Sequence, residues 1–540
     1  MVSLLSTTRG PERPLLELTI GDLLHRTASR YPDRLAVASR HQSRRMTWAE
    51  LSDAADRVAR GLWSLGIRRG DRVGLWSTNC IEWIMMHMGC ARAGAALVNV
   101  NPAYRSHELG YTLTRSRMKS LFLWHTDKRA DYEEILGRAR HGHALELQHT
   151  IYFDSPEWLA LLDADGKLPD HVSVDDIANI QYTSGTTGLP KGVMLTHHNI
   201  VNNGQFLAQG FHYTEQDRIV VPVPLFHCYG CVIGTMSAVN SGAAIILPNW
   251  TFDPRATLQA VHDERATSVY GVPAMYVAEF GLPDFAGFDL TSLRTGMMSG
   301  APCPVELMKR VLNEMHISEL VIAYGQTETS PVVTMSDAGD TIEIRVNTVG
   351  RAMPQTEIQI ISTVTGETVP MGAQGEICAR GYAVMKGYDG DEEGTAQVIK
   401  PDGWLHTGDL GVMHEDGCIH LTGRSRDVII RGGENIYPRE VEEFLYTHPK
   451  VGEAQVVGIP NARLGEIVVA WVRLRPGLEA TEEEIRGFCQ GQIAYYKIPE
   501  HVRFVDDFPA TLSGKIQKYK IREFEIEARG LQSVASAATA

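Results

Sequence analysis

The sequence predicts an α/β protein: a large N-terminal domain of helix-covered sheets that includes a small β-rich subdomain, followed by a small α+β domain. Three observations predict it. Short apolar strands alternate with amphipathic helices through most of the first 340 or so residues, the rhythm of parallel sheets covered by helices. From about Ile342 to Leu421 the pattern changes to short strands and Gly-rich turns. Beyond Gly423-Arg424-Ser425-Arg426-Asp427, roughly a hundred residues mix helix and strand in a compact unit. The expected limits are 1–425 for the large domain, with its β-rich part at about 342–421, then 426–530, then a frayed tail at 531–540. At 540 residues the chain is too long for a single core.

The individual elements follow from local chemistry. Thr47-Trp48-Ala49-Glu50 is a capping box, and the helix behind it shows one apolar face through Leu51, Ala54, Val58, Leu62 and Leu65. Gly66 and Gly70 close that helix. Arg72–Trp76 reads as a strand, Ile81–Ala93 as a helix and Ala96–Val100 as a strand. The same rhythm returns in strands expected at Arg218–Val223, Ala244–Leu247 and Ser268–Val272. In the β-rich part, Glu357–Ile361 and Gly375–Arg380 read as strands. Pro438 opens a helix in the last unit, where a missing N–H costs nothing. Val451–Ile459 and Glu466–Leu474 are expected strands and Thr481–Cys489 a helix.

Composition narrows the function classes. The chain is 44% hydrophobic and 21% charged, as soluble globular proteins are. A net charge of −14 argues against nucleic acid or an anionic membrane as the main partner. Eight cysteines and no secretory h-region suggest free thiols in a reducing, cytoplasmic setting. Ile219–Phe252 holds no Asp, Glu, Lys or Arg and is long enough to cross a bilayer. Pro222, Pro224, His227, Asn240, Gly242 and Pro248 interrupt it, which favours a buried strand-helix-strand core and no transmembrane segment. Cys228-Tyr229-Gly230-Cys231 has no second ligand pair for zinc and reads as two small side chains at a cavity wall.

The chemistry begins at Tyr182–Gly192. Thr183, Ser184, Thr186 and Thr187 supply hydroxyls, Gly185, Gly188 and Gly192 let backbone N–H groups turn toward an anion, and Lys191 adds a mobile cation. A Walker A loop would need Gly-Lys-Ser/Thr at its end, and here Pro190 and Gly192 flank the lysine. Ser299-Gly300-Ala301-Pro302 and Ala323-Tyr324-Gly325-Gln326-Thr327-Glu328-Thr329 each follow an apolar strand, at the sheet end where α/β folds bind ligands. Tyr324 offers a ring for a base and Thr327 a phosphate donor. Glu328 offers a hard oxygen for Mg²⁺, or a helix-start carboxylate. Asp409, on a tight turn, suits ribose hydroxyls, and Arg424 the same sugar or a phosphate. Lys515 follows Ser513-Gly514 on a loop and by itself reads as a solvated side chain.

In this order, Tyr182–Gly192, Tyr324–Thr329, Trp404–Gly411, Gly423–Glu442 and Ser513-Gly514-Lys515 resemble the adenylate-forming superfamily of acyl-CoA synthetases, non-ribosomal adenylation domains and luciferases. Gly94-Ala95, Asn99–Arg105 and Arg294-Thr295-Gly296 look most like the medium-chain fatty acyl-CoA synthetases. The resemblance implies a two-step reaction with ATP, Mg²⁺ and coenzyme A: acyl-AMP formation, then thioester formation. It implies that Thr183, Ser184, Gly185, Thr186, Thr187 and Lys191 hold the β/γ-phosphates, Thr327 the α-phosphate and Glu328 the metal. Gly300, Ala301, Pro302, Tyr324 and Gly325 would form the adenine slot, Asp409 and Arg424 would hold the ribose, and Lys515 would reach the reacting carboxylate. The small domain would rotate between steps about Arg426, where the family most often has Asp or Lys. Rotation would bring Gly432, Gly433 and Glu434 to the acyl-AMP.

The same resemblance places the acyl pocket at Phe226, His227, Cys228, Tyr229, Val272, Met297 and Met298, apolar and Met-bearing enough for a hydrophobic carboxylic acid. His227 would orient the carboxylate, or would simply be packed. The absence of a carboxylate in Cys228-Tyr229-Gly230 disfavours an amino-acid substrate. Leu464 stands where some relatives carry an aromatic for CoA adenine, with Tyr496 and Lys497 as substitutes, so CoA and a carrier protein both stay open as acceptors. A chain that performs one half-reaction is the alternative; a luciferase-like oxygenase or a non-catalytic binder fits the intact Lys191, Glu328, Asp409, Arg424 and Lys515 poorly. Oligomeric state is open, a homodimer included.

Overall fold

The computed structural model describes residues 4–532 except 128–129, 142–145, 184–189, 302, 304, 425–426, 432–433, 462, 491 and 512–513. Two large sheets dominate it. In the first, Ile177–Thr183, Ala96–Val100, Arg72–Trp76, Ser120–Leu123 and His149–Tyr152 run parallel in that spatial order; Lys191–Thr196 and then Gly387–Tyr388 extend it antiparallel. The second is built on parallel strands Glu319–Gly325, Thr295–Met298, Ser268–Gly271, Arg218–Val220, Ala244–Leu247 and Leu35–Ser39, with antiparallel strands at both edges.

One helix shows how the two sheets share a core. Ile81–Ala93 is buried along its length apart from Arg92. Its sequence has no polar face, as a helix enclosed on all sides requires. Trp83, Met86 and Met88 join one apolar cluster with Leu97 from the first sheet and Ile219 and Ile245 from the second. Its single buried carboxylate, Glu82, is held by Arg44 and by Gln42 Nε2 at 2.8 Å. The expected capping box is present beside it: Thr47 accepts from Glu50 N, and Glu50 accepts from Thr47 N at 2.7 Å, at the start of the helix Trp48–Ser64.

Two expected strands end early, for local reasons. Arg218–Val220 stops short of Val223 because Pro222 has no N–H for a ladder. Ser268–Gly271 stops because Val272 becomes the N-cap of a helix with Pro273 at its first position. The charge-free stretch folds as a buried π-helix, Tyr229–Met236, then Ser237–Ser241 and the strand Ala244–Leu247. Among the described residues no helix is long and apolar enough to cross a membrane.

The β-rich segment is less uniform than its sequence suggests. An antiparallel sheet joins Thr356–Ile361, Gln374–Gly381, Leu405–Met413 and Ile419–Arg424, and Thr7–Arg9 from the start of the chain completes it. Arg351–Ala352 and Gly387–Tyr388 instead join the two large sheets, and Ile342–Asn347 and Glu392–Val398 are helices. In the C-terminal unit, strands Val451–Asn461 and Gly465–Leu474 separate two cores. Val456, Val468 and Val472 face Val441, Leu445 and Ile485; Val457, Val469 and Trp471 face Ile521 of the helix Lys518–Ala528.

Two core histidines make the fold acid-sensitive. His87 and His197 are 1% and 0% exposed, and burial lowers each from 6.5 to about 4. Their neutral form is the folded one, so their contribution is complete above pH 6.5 and is lost as pH falls toward 4. The expected penalty at pH 4 is on the order of 3 kcal/mol per histidine. Thermal denaturation from pH 8 to 4.5 should show a flat melting temperature above pH 7 that falls below 6.5, and His87→Leu should flatten the fall.

Candidate active site

The first sheet and the second converge at the carboxyl ends of their parallel strands. Thr183 ends one strand and Lys191 begins the next, the two facing each other in register. Ser184, Gly185, Thr186 and Thr187 between them lie outside the described residues, as do Pro302, Arg426, Gly432 and Gly433. Lys191 Nζ is 3.4 Å from Asp391 Oδ2 and 4.7 Å from the centroid of the Tyr388 ring. Tyr388 donates its hydroxyl to Glu328 Oε1 at 2.8 Å. Burial and the neighbouring Glu328 carboxylate push the Tyr388 phenol well up, so it stays a donor.

Glu328 belongs to the short 3₁₀ turn Thr327–Thr329 behind the strand Glu319–Gly325. The chain turns so closely there that a Cβ on Gly325 would lie 1.8 Å from the Pro331 carbonyl oxygen. Tyr324, buried, donates to Asp409 Oδ2 at 2.8 Å, and Arg424 Nε lies 2.9 Å from Asp409 Oδ1. Asp409 and Arg424 are opposite one another on adjacent antiparallel strands. Burial alone would lower the Arg424 guanidinium; Asp409 and Asp427 outweigh it and raise the group, keeping it charged. Gly300 and Ala301 follow the neighbouring strand Thr295–Met298 at the same sheet end.

The turn before Asp409 is held by Glu376. Its Oε1 accepts from Gly408 N at 2.9 Å, its Oε2 lies 3.0 Å from His406 Nδ1, and Cys378 brings its thiol within the same 4.8 Å group. Glu376, Cys378 and His406 are ligand types for a metal, but both carboxylate oxygens already have protein donors. The cluster is explained as the support of the Gly408-Asp409 turn.

A third group gathers at His227. Its Nδ1 accepts from Tyr229 N at 3.1 Å. Burial, then the charge of Lys515, lowers its pKa to about 4. A neutral imidazole that accepts at Nδ1 carries its proton on Nε2, so His227 is a hydrogen-bond donor there. Cys228 Sγ lies 3.7 Å from Thr327 Oγ1, and burial pushes that thiol up to about 12, which makes it an inert wall. The C-terminal unit reaches this point. Thr511 and Gly514 close a cavity of about 250 Å³ whose other walls include Asn79, Phe226, Trp250, Phe252, Val272 and Met275. Gly514, at φ +80°, sits so close that a Cβ would meet Val272 Cγ2 at 2.6 Å.

Of the expected pocket residues, Phe226 and Val272 line that cavity. Tyr229 packs behind them, its hydroxyl tied to the Gly271 and Met297 carbonyls at 3.1 and 3.0 Å. Met297 shares the Tyr229 cluster, whereas Met298, one residue on along a strand, points to the opposite face and packs with Met308 and Val311. Asp391, Tyr388, Glu376, Trp250, Phe252 and Met275 were not singled out from sequence. Apart from Met275, three residues beyond Val272, each is distant in the chain from the motif it serves; Asp391 gives a local signal in preceding a helix as its N-cap.

A lysine at a strand end, an acid–arginine pair on adjacent strands and a second lysine in the C-terminal unit are groups that a nucleotide-using, carboxylate-activating enzyme would need. The AMP-binding enzyme family model matches residues 24–389, and the AMP-binding enzyme C-terminal domain model matches 440–515. YngI of Bacillus subtilis (strain 168), which carries an acyl-CoA synthetase designation, is 46% identical over 96% of this chain and 99% of YngI. The human mitochondrial medium-chain acyl-CoA ligase ACSF2 is 41% identical over 94% of this chain and 87% of its own. The anthranilate CoA ligase AuaEII, solved with anthranoyl-AMP, superposes with a TM-score of 0.85 at 27% identity, covering 95% of this chain and 98% of AuaEII. The chain belongs to the AMP-binding enzyme family, and it is an AMP-forming acid–thiol ligase of the acyl-CoA synthetase type.

Glu376→Ala leaves the Gly408 N–H without its acceptor, at a cost of about 1–3 kcal/mol. Chemical denaturation should read that loss, and an ATP titration should show weaker binding because the turn that carries Asp409 is less firmly held.

Proposed function

We propose that this chain joins a hydrophobic carboxylic acid to coenzyme A at the expense of ATP. A carboxylate oxygen attacks the α-phosphorus, the α–β P–O bond breaks and pyrophosphate leaves. The CoA sulfur then attacks the acyl carbon, the C–O bond to AMP breaks, and AMP leaves with the thioester formed. Negative charge grows on oxygen in both steps, so cations and donors aimed there lower the barrier. Thr183, Lys191 and the intervening loop take the β/γ-phosphates, Thr327 the α-phosphate, and Asp409 with Arg424 the ribose. The His227 Nε2–H and the Lys515 ammonium take the reacting carboxylate. Glu328 suits Mg²⁺: it is a half-buried hard-oxygen ligand whose carboxylate accepts from the Tyr388 hydroxyl. The ion would neutralise phosphate charge there.

The observation that supports this reading is that Thr511 and Gly514 close the cavity, Gly514 against Val272, and that the charge of the next residue, Lys515, acts on His227. Apolar walls from Phe226, Phe252, Val272 and Met275 suit the hydrophobic part of the acid. Withdrawal of the same loop, by rotation about Arg426 that brings in Gly432 and Gly433, would open the cavity to the thiol. All eight cysteines are free thiols, in keeping with the cytoplasm.

Pyrophosphate release measured over a panel of acids, with and without CoA, tests the reaction; no pyrophosphate with any acid, but thioester from supplied acyl-AMP, would sink the two-step assignment. Lys515→Ala should abolish pyrophosphate release and leave thioester formation from acyl-AMP largely intact. Equal loss in both would refute the alternating loop. Gly514→Ala, whose Cβ meets Val272, should lower adenylation at least tenfold in the same pair of assays while sparing the thioester step.

A further inference from the structure

Two charged groups that a nucleotide would use are already engaged, and one turn engages both. Asp391 Oδ2 lies 3.4 Å from Lys191 Nζ, and the Tyr388 ring lies under the same ammonium, 4.7 Å from its centroid. The Tyr388 hydroxyl donates to Glu328 Oε1 at 2.8 Å. The turn does not depend on these contacts for its position. Asp389 N donates to Gly192 O at 2.7 Å, and Asp389 Oδ1 accepts from Arg72 at 2.6 Å. Tyr388 N donates to Thr395 Oγ1, and Asp391 Oδ1 accepts from Gly394 N, each at 2.8 Å, capping the helix Glu392–Val398. A carboxylate fixed in this way beside a phosphate-binding lysine opposes anion binding. The Lys191 and Asp391 side chains are 24% and 30% exposed, so the pair is weak enough for a polyanion to displace.

We propose that Asp391 is a displaceable counter-ion of Lys191, exchanged for the pyrophosphate half of ATP, and that Tyr388 is the positioning residue that holds Glu328 toward the metal. The inference rests on the nucleotide reading above. Its consequence is a bias toward product release. When the α–β bond has broken, Asp391 competes with pyrophosphate for Lys191 and speeds its departure, at the cost of weaker ATP binding.

The test is calorimetric titration of the full chain with inorganic pyrophosphate and with ATP, each with and without Mg²⁺. Asp391→Asn removes the charge and keeps the cap, since Asn caps helices as well as Asp does. It should tighten metal-free pyrophosphate and ATP binding by about fivefold, the factor that a half-exposed ion pair is worth. In a Lys191→Met background the same substitution should change binding by less than twofold, a coupling that a purely structural role for Asp391 would not produce. Tyr388→Phe should raise the Mg²⁺ concentration for half-maximal ATP binding and leave metal-free pyrophosphate binding within twofold. Unchanged or weaker binding by Asp391→Asn, or an equal effect without Lys191, overturns the counter-ion role. An unchanged Mg²⁺ requirement in Tyr388→Phe overturns the positioning role. Failure of the unmodified chain to bind ATP at all would instead sink the nucleotide reading itself.

Discussion

Enclosure of the Ile81–Ala93 helix between two sheets is the constraint on which the rest of the architecture depends. A helix with apolar residues on every side has no stable place at a surface, and burying it forces the sheets to pack against it from both directions. That packing fixes where the parallel strands end. Thr183, Gly271, Met298 and Gly325 are the terminal residues of four such strands, and the site occupies the space just beyond them. Polar groups too costly to bury thus collect at one sheet end, where the backbone leaves the ladder and a ligand can satisfy them.

Within the site, opposite charges satisfy one another. Asp409 is shared by Tyr324 and Arg424, Glu328 is held by Tyr388, and Lys191 lies between Asp391 and an aromatic face. Each pairing gives a charge a partner where an unpartnered one would be costly to bury. The arrangement differs in depth. The Asp409–Arg424 pair is built into two adjacent strands and belongs to the scaffold, whereas the half-exposed Lys191–Asp391 pair is loose enough to be exchanged. His227 follows another logic: neutral, with its proton forced onto Nε2 by the Tyr229 N–H, it supplies a donor without adding charge beside Lys515.

Much of the fold was legible because local signals are strong where packing and capping agree. The capping box at Thr47, the proline at position 438 and the left-handed Gly66 and Gly70 mark element ends within a residue or two. Signals failed where an element is short or its pairing distant. Thr7–Arg9 is a three-residue strand whose partner lies some 350 residues on, and Gly387–Tyr388 has too few residues to show a period. Met298 was grouped with Met297 as a pocket residue, although successive strand residues face opposite ways. The site was legible in its motif residues and not in their supports. Tyr388, Asp391 and Glu376 become meaningful only through what they touch.

By itself, the sequence determined the α/β class, the order of the chemistry-bearing segments and the family to which they belong, because caps, turns and ligand-type residues act over a few positions. Only the tertiary structure decided which side chains meet. Lys191 and Asp391 are adjacent because strand 387–388 pairs with strand 191–196, and the C-terminal unit approaches Val272 closely because Gly514 has no side chain to keep it away. Contacts between remote segments depend on the whole packing arrangement, and no local pattern of residues encodes them.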